Sequence, residues 1–256
     1  MIQDIKPSQK LIVGVGPQHT YRSIIAPHTH NRAQLLYASE GAIRVYTADN
    51  VWIVPPQCAL WIPAHIEHSV VSLSEVRLST VLVEKNAANS LGNDCFIVRI
   101  SKLLRELVLR FNQLDYLEFE QNPIESEIEK SLQLLIFHEI KQASSFPIVI
   151  PWPKNPRLIR ICEELMEHPD NPKNLGAWAD QIGTSSRTLI RLFQKETGLN
   201  YRTWVQQMHI ALALGKLSRG ESISRIAIAL GYSNPSAFSA MFKKHLGEAP
   251  QHFRKE

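Results

Sequence analysis

Two stretches decide the fold: ADQIGTSSRTLIRLFQK, from Ala179 to Lys195, and AIALGYSNPSAFSAMFKK, from Ala227 to Lys244. They are copies of one unit. Ala179, Ile182, Gly183, Ser185, Leu189, Phe193 and Lys195 return as Ala227, Leu230, Gly231, Ser233, Phe238, Phe242 and Lys244. The offset is 48 residues up to the serine and 49 after it, so the second turn carries one extra residue. Each copy has the parts of a helix-turn-helix. Ala179 or Ala227 is small enough for two helices to cross closely. Gly183 or Gly231 ends the first helix in a conformation that only glycine adopts cheaply. Ser185 then caps the second helix of the first copy, and Asn234 followed by Pro235 opens that of the second.

The apolar spacing sets which way these second helices face. Leu189, Leu192 and Phe193 turn inward in the first, as do Phe238, Met241 and Phe242 in the second. That leaves Ser186, Arg187, Ile190 and Arg191 outward on one helix, and Ser236, Ser239, Ala240 and Lys243 outward on the other. Between the copies, YRTWVQQMHIALALGKL reads as one helix from about Tyr201 to Leu217. At 1.5 Å per residue it is roughly 25 Å long. A rigid spacer of that length holds two reading helices near one DNA turn apart, about 34 Å.

Charge is consistent with this without deciding it. Up to Ile150 the chain carries 13 Lys/Arg against 15 Asp/Glu, and from Pro151 onward 15 against 9, so a net −2 half is joined to a +6 half. A basic half suits a polyanion or is simply a solvated surface. The three cysteines, Cys58, Cys95 and Cys162, are odd in number and far apart, which argues against a disulfide framework or a clustered zinc site and for inert thiols in a reducing cytoplasm. The amino terminus lacks the order of a secretory signal. The most apolar stretch, Val51 to Pro63, is broken by Pro55, Pro56 and Gln57, so no membrane span is expected.

The carboxy-terminal hundred residues, from Asn155 to Lys255, closely resemble the AraC/XylS family of bacterial transcription regulators. The likeness lies in SSRTLIRLFQKETGLNYRTWVQQMHI and SISRIAIALGYSNPSAFSAMFKKHLGEAPQHFR, and the G-Y-x-N-x-S-x-F-x-x-x-F-K-K and P-x-x-F-R elements of the second are specific. The resemblance implies a major-groove reader that activates or represses promoters, with double-stranded DNA, a small-molecule effector and RNA polymerase as partners. It implies base contacts from Ser186, Arg187, Ile190 and Arg191, then from Ser236, Ser239 and Ala240. The second set has only small side chains, so it departs from a strong reader and suits phosphate contacts and shape readout.

Working back toward the amino terminus, FPIVIPWPKNPR places Pro147, Pro151, Pro153 and Pro156 within ten residues. Proline at that density cannot continue a helix or a central strand, and 147–155 reads as an inter-domain linker. Before it, RISKLLRELVLRFNQL and IESEIEKSLQLLIFHEIKQ space apolar residues three and four apart. Leu103, Leu104, Leu107, Val108 and Phe111 form one stripe, and Ile128, Leu132, Leu135, Ile136 and Ile140 another. These two helices, in a connector spanning 94–146, pack on the preceding domain or pair with a second subunit as a homodimer. Glu125, Glu127 and Glu129 read as a solvated helix start.

Residues 1–93 alternate short apolar runs with turn signals, as an antiparallel sandwich or barrel does. The fold class expected is therefore α+β: an antiparallel β-barrel, intermediate helices, and an all-α double helix-turn-helix domain over 156–256. Within the barrel, His28 and His30 are two apart and can share a face, and His68 from another strand can supply a third imidazole. Three histidines around one cavity would suit Zn²⁺, Ni²⁺ or Fe²⁺. The set Pro27-His28-Thr29-His30, Gln34 and Gly41, then Pro63 to His68, resembles the cupin pattern H-x-H-x3-E-x6-G followed by P-x-G-x2-H. Gln34 stands where that family has its metal-binding glutamate, and His65 replaces the glycine. The histidines thus bind a metal, line an organic-effector pocket together with Gln34, or are structural. His19, His138, His168, His209, His245 and His252 lack ligand spacing and read as surface or interface residues. Trp52, Trp61, Trp178 and Trp204 read as core. No nucleotide-binding glycine loop or nucleophile elbow is present.

Two other functions compete with a ligand-responsive regulator. A metal-dependent cupin enzyme with a helical appendage needs a carboxylate where Gln34 sits and leaves the duplicated motif unexplained. An architectural DNA-binding protein leaves the histidines unexplained.

Overall fold

A computed structural model describes residues 10–21, 23–56, 58–73, 75–114, 123–146, 148–170 and 173–254. The side chains of residues 16–21, 123 and 125 are outside that description, so the readings for His19 and Glu125 are outside it too, as is Pro147 of the linker. The chain divides into two compact units, one of Met1–Thr47 with Val54–Pro147, the other of Ala48–Ile53 with Ile148–Glu256.

The first unit is built on antiparallel strands. Its main sheet takes β1 (Ile12–Tyr21), β3 (Ala33–Glu40), β6 (Cys58–Ile62), β8 (Glu75–Val83), β9 (Phe96–Arg99) and β10 (Ser145–Phe146) in the order β1-β8-β3-β6-β9-β10. A second sheet sets β7 (His68–Ser72) between β4 (Ile43–Thr47) and β2 (Ile24–His28). The expected barrel is therefore two separate sheets, and no closed barrel forms among the described residues. Alternation along β3 sorts its side chains: Leu35 and Tyr37 join the core with Trp61 and Val81, while Gln34 points to the opposite face beside its register partners Ile62 and Leu82.

A short helix, α1 (Lys85–Ala88), and a 3-10 turn (Asn89–Leu91) follow β8. The core face of the main sheet is covered by α2 (Lys102–Phe111) and α3 (Pro123–Gln142). Leu104, Leu107, Val108 and Phe111 of α2 and Ile136 and Ile140 of α3 share one buried cluster with the strands. Full burial of each such side chain contributes about 1.5–3 kcal/mol. Ser101 caps α2 by accepting from the Leu104 N–H at 3.0 Å and donates to Glu139 of α3 at 2.7 Å.

The stripes read from sequence need correction here. Leu103, Ile128 and Leu135 are exposed, and the buried face of α3 includes Glu129 and Gln133 instead. Glu129 is not a solvated residue: Lys10 donates to it at 2.9 and 3.1 Å. Gln133 accepts from the Ile12 N–H at 3.0 Å and donates to Glu129 at 3.2 Å. The connector is also not wholly helical, since it supplies β9 and β10.

The second unit is helical: α4 (Pro156–Glu167), α5 (Leu175–Gln181), α6 (Ser186–Thr197), α7 (Tyr201–Leu217), α8 (Ile223–Ala229), α9 (Pro235–Leu246) and a 3-10 turn (Pro250–Phe253). Each helix from α4 to α9 opens on a side chain that accepts an N–H of its first turn, from Asn155, Asn174, Ser185, Asn200, Ser222 and Asn234 in order. The spacer helix runs from Tyr201 to Leu217, as its sequence indicates. Phe193 packs edge-on against Tyr201 and Trp204, with centroids 5.7 and 5.8 Å apart, and Trp178 donates to the Tyr201 hydroxyl at 2.9 Å. Tyr232, Phe238, Phe242 and Phe253 form a matching chain in the second copy. Trp52, Trp61, Trp178 and Trp204 are all buried.

The proline-rich segment is no free tether. Its residues Ile150–Pro151 form β11, paired with Val51 and Asn50 of β5 (Asn50–Val54) inside the helical unit. Pro151 lacks an N–H, so it ends this short ladder. Trp152 donates to the Asp49 carbonyl at 2.8 Å, and Trp204 donates to the Pro151 carbonyl at the same distance. The described cysteines are all free, and burial pushes the thiols of Cys58 and Cys95 up to about 12 and that of Cys162 higher still. Among the described residues no helix is long and apolar enough to cross a membrane.

Candidate functional site

The two turns that precede the outward-facing helices are built alike. Gly183 (φ 68°) donates to the Asp180 carbonyl at 3.2 Å, and Thr184 donates to the Ala179 carbonyl at 2.9 Å. Gly231 (φ 74°) donates to Ile228 at 3.0 Å, and Tyr232 donates to Ala227 at 2.9 Å. Both are Schellman turns, in which a left-handed residue lets the two N–H groups beyond a helix reach back to its last carbonyls. Positions 183 and 231 therefore need glycine, and the alanines are the acceptors as well as the close-packed residues. The caps then set where α6 and α9 begin. Ser185 Oγ accepts from Thr188 N at 3.2 Å, and Asn234 Oδ1 accepts from Ala237 N at 2.8 Å.

The outward sets fall mostly where the spacing places them. Ser186, Arg187, Ile190 and Arg191 are exposed on α6, while Leu189 and Phe193 are buried and Leu192 is half-buried. Neither Arg187 nor Arg191 engages another described side chain, so both guanidinium forks, one turn apart, are available. On α9, Ser236, Ala240 and Lys243 are exposed, but Ser239 is half-buried. The last turn of α9 adds a second cation, Lys244, beside Lys243. His209 corrects the surface reading made for it. It is buried, 3.0 Å from the Pro169 carbonyl through Nε2 and 3.3 Å from the Tyr232 hydroxyl through Nδ1, and burial pushes its pKa down to about 4.

In the first unit the structure brings together His28, His30 and His68. One potential ligand atom from each lies within 4.8 Å of the others, and the ring centroids are 4.4–5.5 Å apart. Local chain geometry explains the meeting. His28 and His68 are register partners across the β2–β7 ladder. His30 lies in the turn after β2, and its carbonyl accepts from the His65 N–H at 2.8 Å, which ties it to the turn before β7. His65 itself adopts φ 66°, the left-handed conformation expected where the cupin pattern has glycine. It is exposed and lies outside the group of three, next to Lys85.

Two of the imidazoles are oriented by backbone carbonyls two residues before them. His28 Nδ1 lies 2.8 Å from the Ala26 carbonyl and His68 Nδ1 lies 2.9 Å from the Ile66 carbonyl, so each Nδ1 carries the proton and Nε2 keeps its lone pair. The Nε2 atoms of His30 and His68 are buried and without a hydrogen-bond partner. Burial foremost, with His28 nearby, pushes the His30 pKa down to about 4. Burial likewise takes His68 to about 4, against the bond to Ile66. Both rings are therefore neutral near pH 7. Gln34 is buried on β3 of the main sheet, and its Oε1 also lacks a partner. Ser23 Oγ and Trp61 Nε1 of this unit are in the same condition. The sequence reading did not single out Ser23 and took Trp61 as core, because nothing local shows that a packed residue's polar atom lacks a partner. A groove of about 690 Å³ lined by Lys10, Leu11, Glu129, Gln133 and Leu134 among others does not include the histidines. Three of its polar side chains, Lys10, Glu129 and Gln133, are already joined by hydrogen bonds.

Comparison with known proteins supplies the rest. Residues 178–256 match a family described as a helix-turn-helix domain, and residues 15–134 match one described as an AraC-like ligand binding domain. The HTH-type transcriptional regulator NimR of Escherichia coli (strain K12) is 33% identical over 223 residues, 87% of this chain and 80% of that protein. The HTH-type transcriptional activator RhaS of Mannheimia succiniciproducens is 23% identical over 251 residues, 91% of this chain and 90% of that protein. Among solved structures, ToxT from Vibrio cholerae O395 aligns with a TM-score of 0.40 at 14% identity, covering 96% of this chain and 97% of that one. By the long match to NimR and the two matched domains, this chain belongs to the AraC family of transcriptional regulators.

Proposed function

We propose that this regulator reads its operator chiefly through α6 and grips the duplex through α9, under the control of a small molecule received by the first unit. The observation that carries the reading is the pair of identical Schellman turns, each delivering a capped helix whose outward face is exposed. On α6, Arg187 and Arg191 can each offer a bidentate fork to guanine O6 and N7, and Ile190 an apolar contact to a thymine methyl. On α9, Ser236, Ser239 and Ala240 have no such fork, and Lys243 acts on phosphate. His28, His30, His68 and Gln34 mark the effector site. The chain is a regulator and no enzyme in this reading, which rests on its relatives being named transcriptional regulators and on Gln34 standing where the cupin pattern has its glutamate. It works in the cytoplasm as a homodimer and acts on RNA polymerase at the promoter.

The test is selection of binding sites from random duplexes by the full chain, followed by affinity measurements across salt. A defined operator with a steep inverse salt dependence is expected, since Lys and Arg release counterions from phosphate. Recovery of no common site would refute sequence reading by these helices.

A further inference from the structure

We propose that His28, His30 and His68 hold one divalent transition metal, and that this metal keeps an open position filled by a small anion. For its regulatory meaning this rests on the reading of the first unit as effector-receiving, but the binding is testable without it.

The geometry comes first. A tetrahedral zinc site with Zn–N near 2.0–2.1 Å puts its nitrogens about 3.4 Å apart. The three ligand atoms, already within 4.8 Å of one another, close to that distance by small ring rotations. Metal-bound imidazoles usually have the other ring nitrogen fixed by a carbonyl or carboxylate, which sets tautomer and direction. His28 and His68 have that arrangement, through the Ala26 and Ile66 carbonyls. The Nε2 atoms of His30 and His68 are buried acceptors with nothing donating to them, which is unfavourable unless a cation or donor takes them. Neutral imidazole selects Zn²⁺, Ni²⁺, Cu²⁺ or Fe²⁺ over Mg²⁺ or Ca²⁺.

Charge gives the second half of the proposal. Three neutral imidazoles leave the ion's double charge uncompensated, and among the described residues no carboxylate or thiolate joins them. Gln34, which stands where the cupin pattern has its glutamate, is a neutral amide. A buried charge is retained only when paired. With three protein ligands the ion also has coordination to spare, as catalytic and sensing sites do and closed structural sites do not. The compensating charge is therefore brought by the ligand: a small anion with a coordinating oxygen or nitrogen, displacing water from the metal. This chemistry separates the site from the groove beside Lys10, where Lys10 and Glu129 already pair with each other.

The experiment titrates chelator-stripped full-length protein with Co²⁺, whose tetrahedral complexes absorb in the visible. One equivalent per chain is expected, with bands that shift saturably when azide or acetate is added. His28→Ala and His30→Ala should each weaken Co²⁺ binding at least tenfold with an unchanged far-UV spectrum. His68→Gln is the milder variant for the most buried of the three and should do the same. Absence of stoichiometric Co²⁺ binding by the wild type, or undiminished binding by the His28→Ala/His30→Ala double variant, overturns the metal site. Bands indifferent to azide and acetate overturn the open position. Duplex binding measured on the same preparations separates the two readings. A chain that takes up no Co²⁺ yet binds its operator leaves the regulator reading intact while the site fails, and a Co²⁺-loaded chain that binds no DNA does the reverse.

Discussion

Replacing each turn glycine by alanine gives a matched pair of perturbations, because Gly183 and Gly231 occupy the same place in the two copies and differ only in what surrounds them. Both have a left-handed backbone, φ 68° and 74°, so a Cβ costs about 1–2 kcal/mol at either. Alanine also stiffens the unfolded chain, which returns about 0.4–1 kcal/mol equally in both cases. The surroundings break the tie. A Cβ at position 183 meets nothing within 4 Å, whereas at 231 it lies 3.1 Å from the Asp170 Cα and 3.2 Å from its carbonyl oxygen. Those are backbone atoms, so the loop before α5 must move, and overpacking of this kind costs about 1–3 kcal/mol. Gly183→Ala should therefore lose about 0–1.6 kcal/mol, and Gly231→Ala about 1–3 kcal/mol more. Urea unfolding of the full chain checks this, followed by the fluorescence of the buried Trp178 and Trp204, with unchanged m-values licensing the comparison. Equal losses, or a larger one at 183, would refute the account of the second turn as a close-packed joint.

Further outcomes follow from the same structure. Arg187→Ala or Arg191→Ala should weaken operator binding by about 1–3 kcal/mol and relax base preference at one or two positions, while Ser239→Ala changes little; affinities for operators altered base by base check this, and a uniform loss for both arginines means they grip phosphate only. His209 is held neutral with its pKa near 4 against 6.5 unfolded, so the unfolded chain binds more protons in that window. Its contribution is complete above pH 6.5 and falls by roughly 3 kcal/mol as pH drops to 4, and His209→Gln should flatten the stability–pH profile of the helical unit over that range. His65→Gly should raise stability by up to about 1 kcal/mol in thermal unfolding, since it relieves a left-handed side chain at the cost of an exposed contact to Lys85 and a looser unfolded chain.

The helical half was legible because its signals are local. Caps, turn glycines and apolar spacing each act within five residues, and Ser185, Asn234 and the limits of α7 all follow from them. Orientation on α3 was not, because the residues that bury Glu129 and Gln133 are Lys10 and the backbone of Ile12, more than a hundred positions away. A period of 3.6 ranks faces by hydrophobicity, and it cannot see a polar pair satisfied from a distant strand. That is why Ile128 and Leu135 were placed inside. The histidines were legible as a set, since two imidazoles two residues apart and a third on a later segment are a pattern of the chain, although His30 lies in the turn after β2 and not on the strand. Which nitrogen of each ring is free was not, because that depends on the Ala26 and Ile66 carbonyls and on burial.

The ladder of Asn50–Val51 with Ile150–Pro151 makes the DNA-reading unit discontinuous in sequence. Grafting this unit onto another receptor by joining at the prolines would deliver only part of it. The graft would leave behind Asp49, whose carbonyl holds Trp152 and whose carboxylate pairs with Lys154 at 2.8 Å. A cut after Pro151 would also take the acceptor from Trp204 at the centre of the first copy. Functional chimaeras should therefore require a junction that carries Ala48–Ile53 along with Ile148–Glu256. During synthesis the unit also has to wait: a hexapeptide made early closes onto its ladder only after about a hundred further residues have emerged.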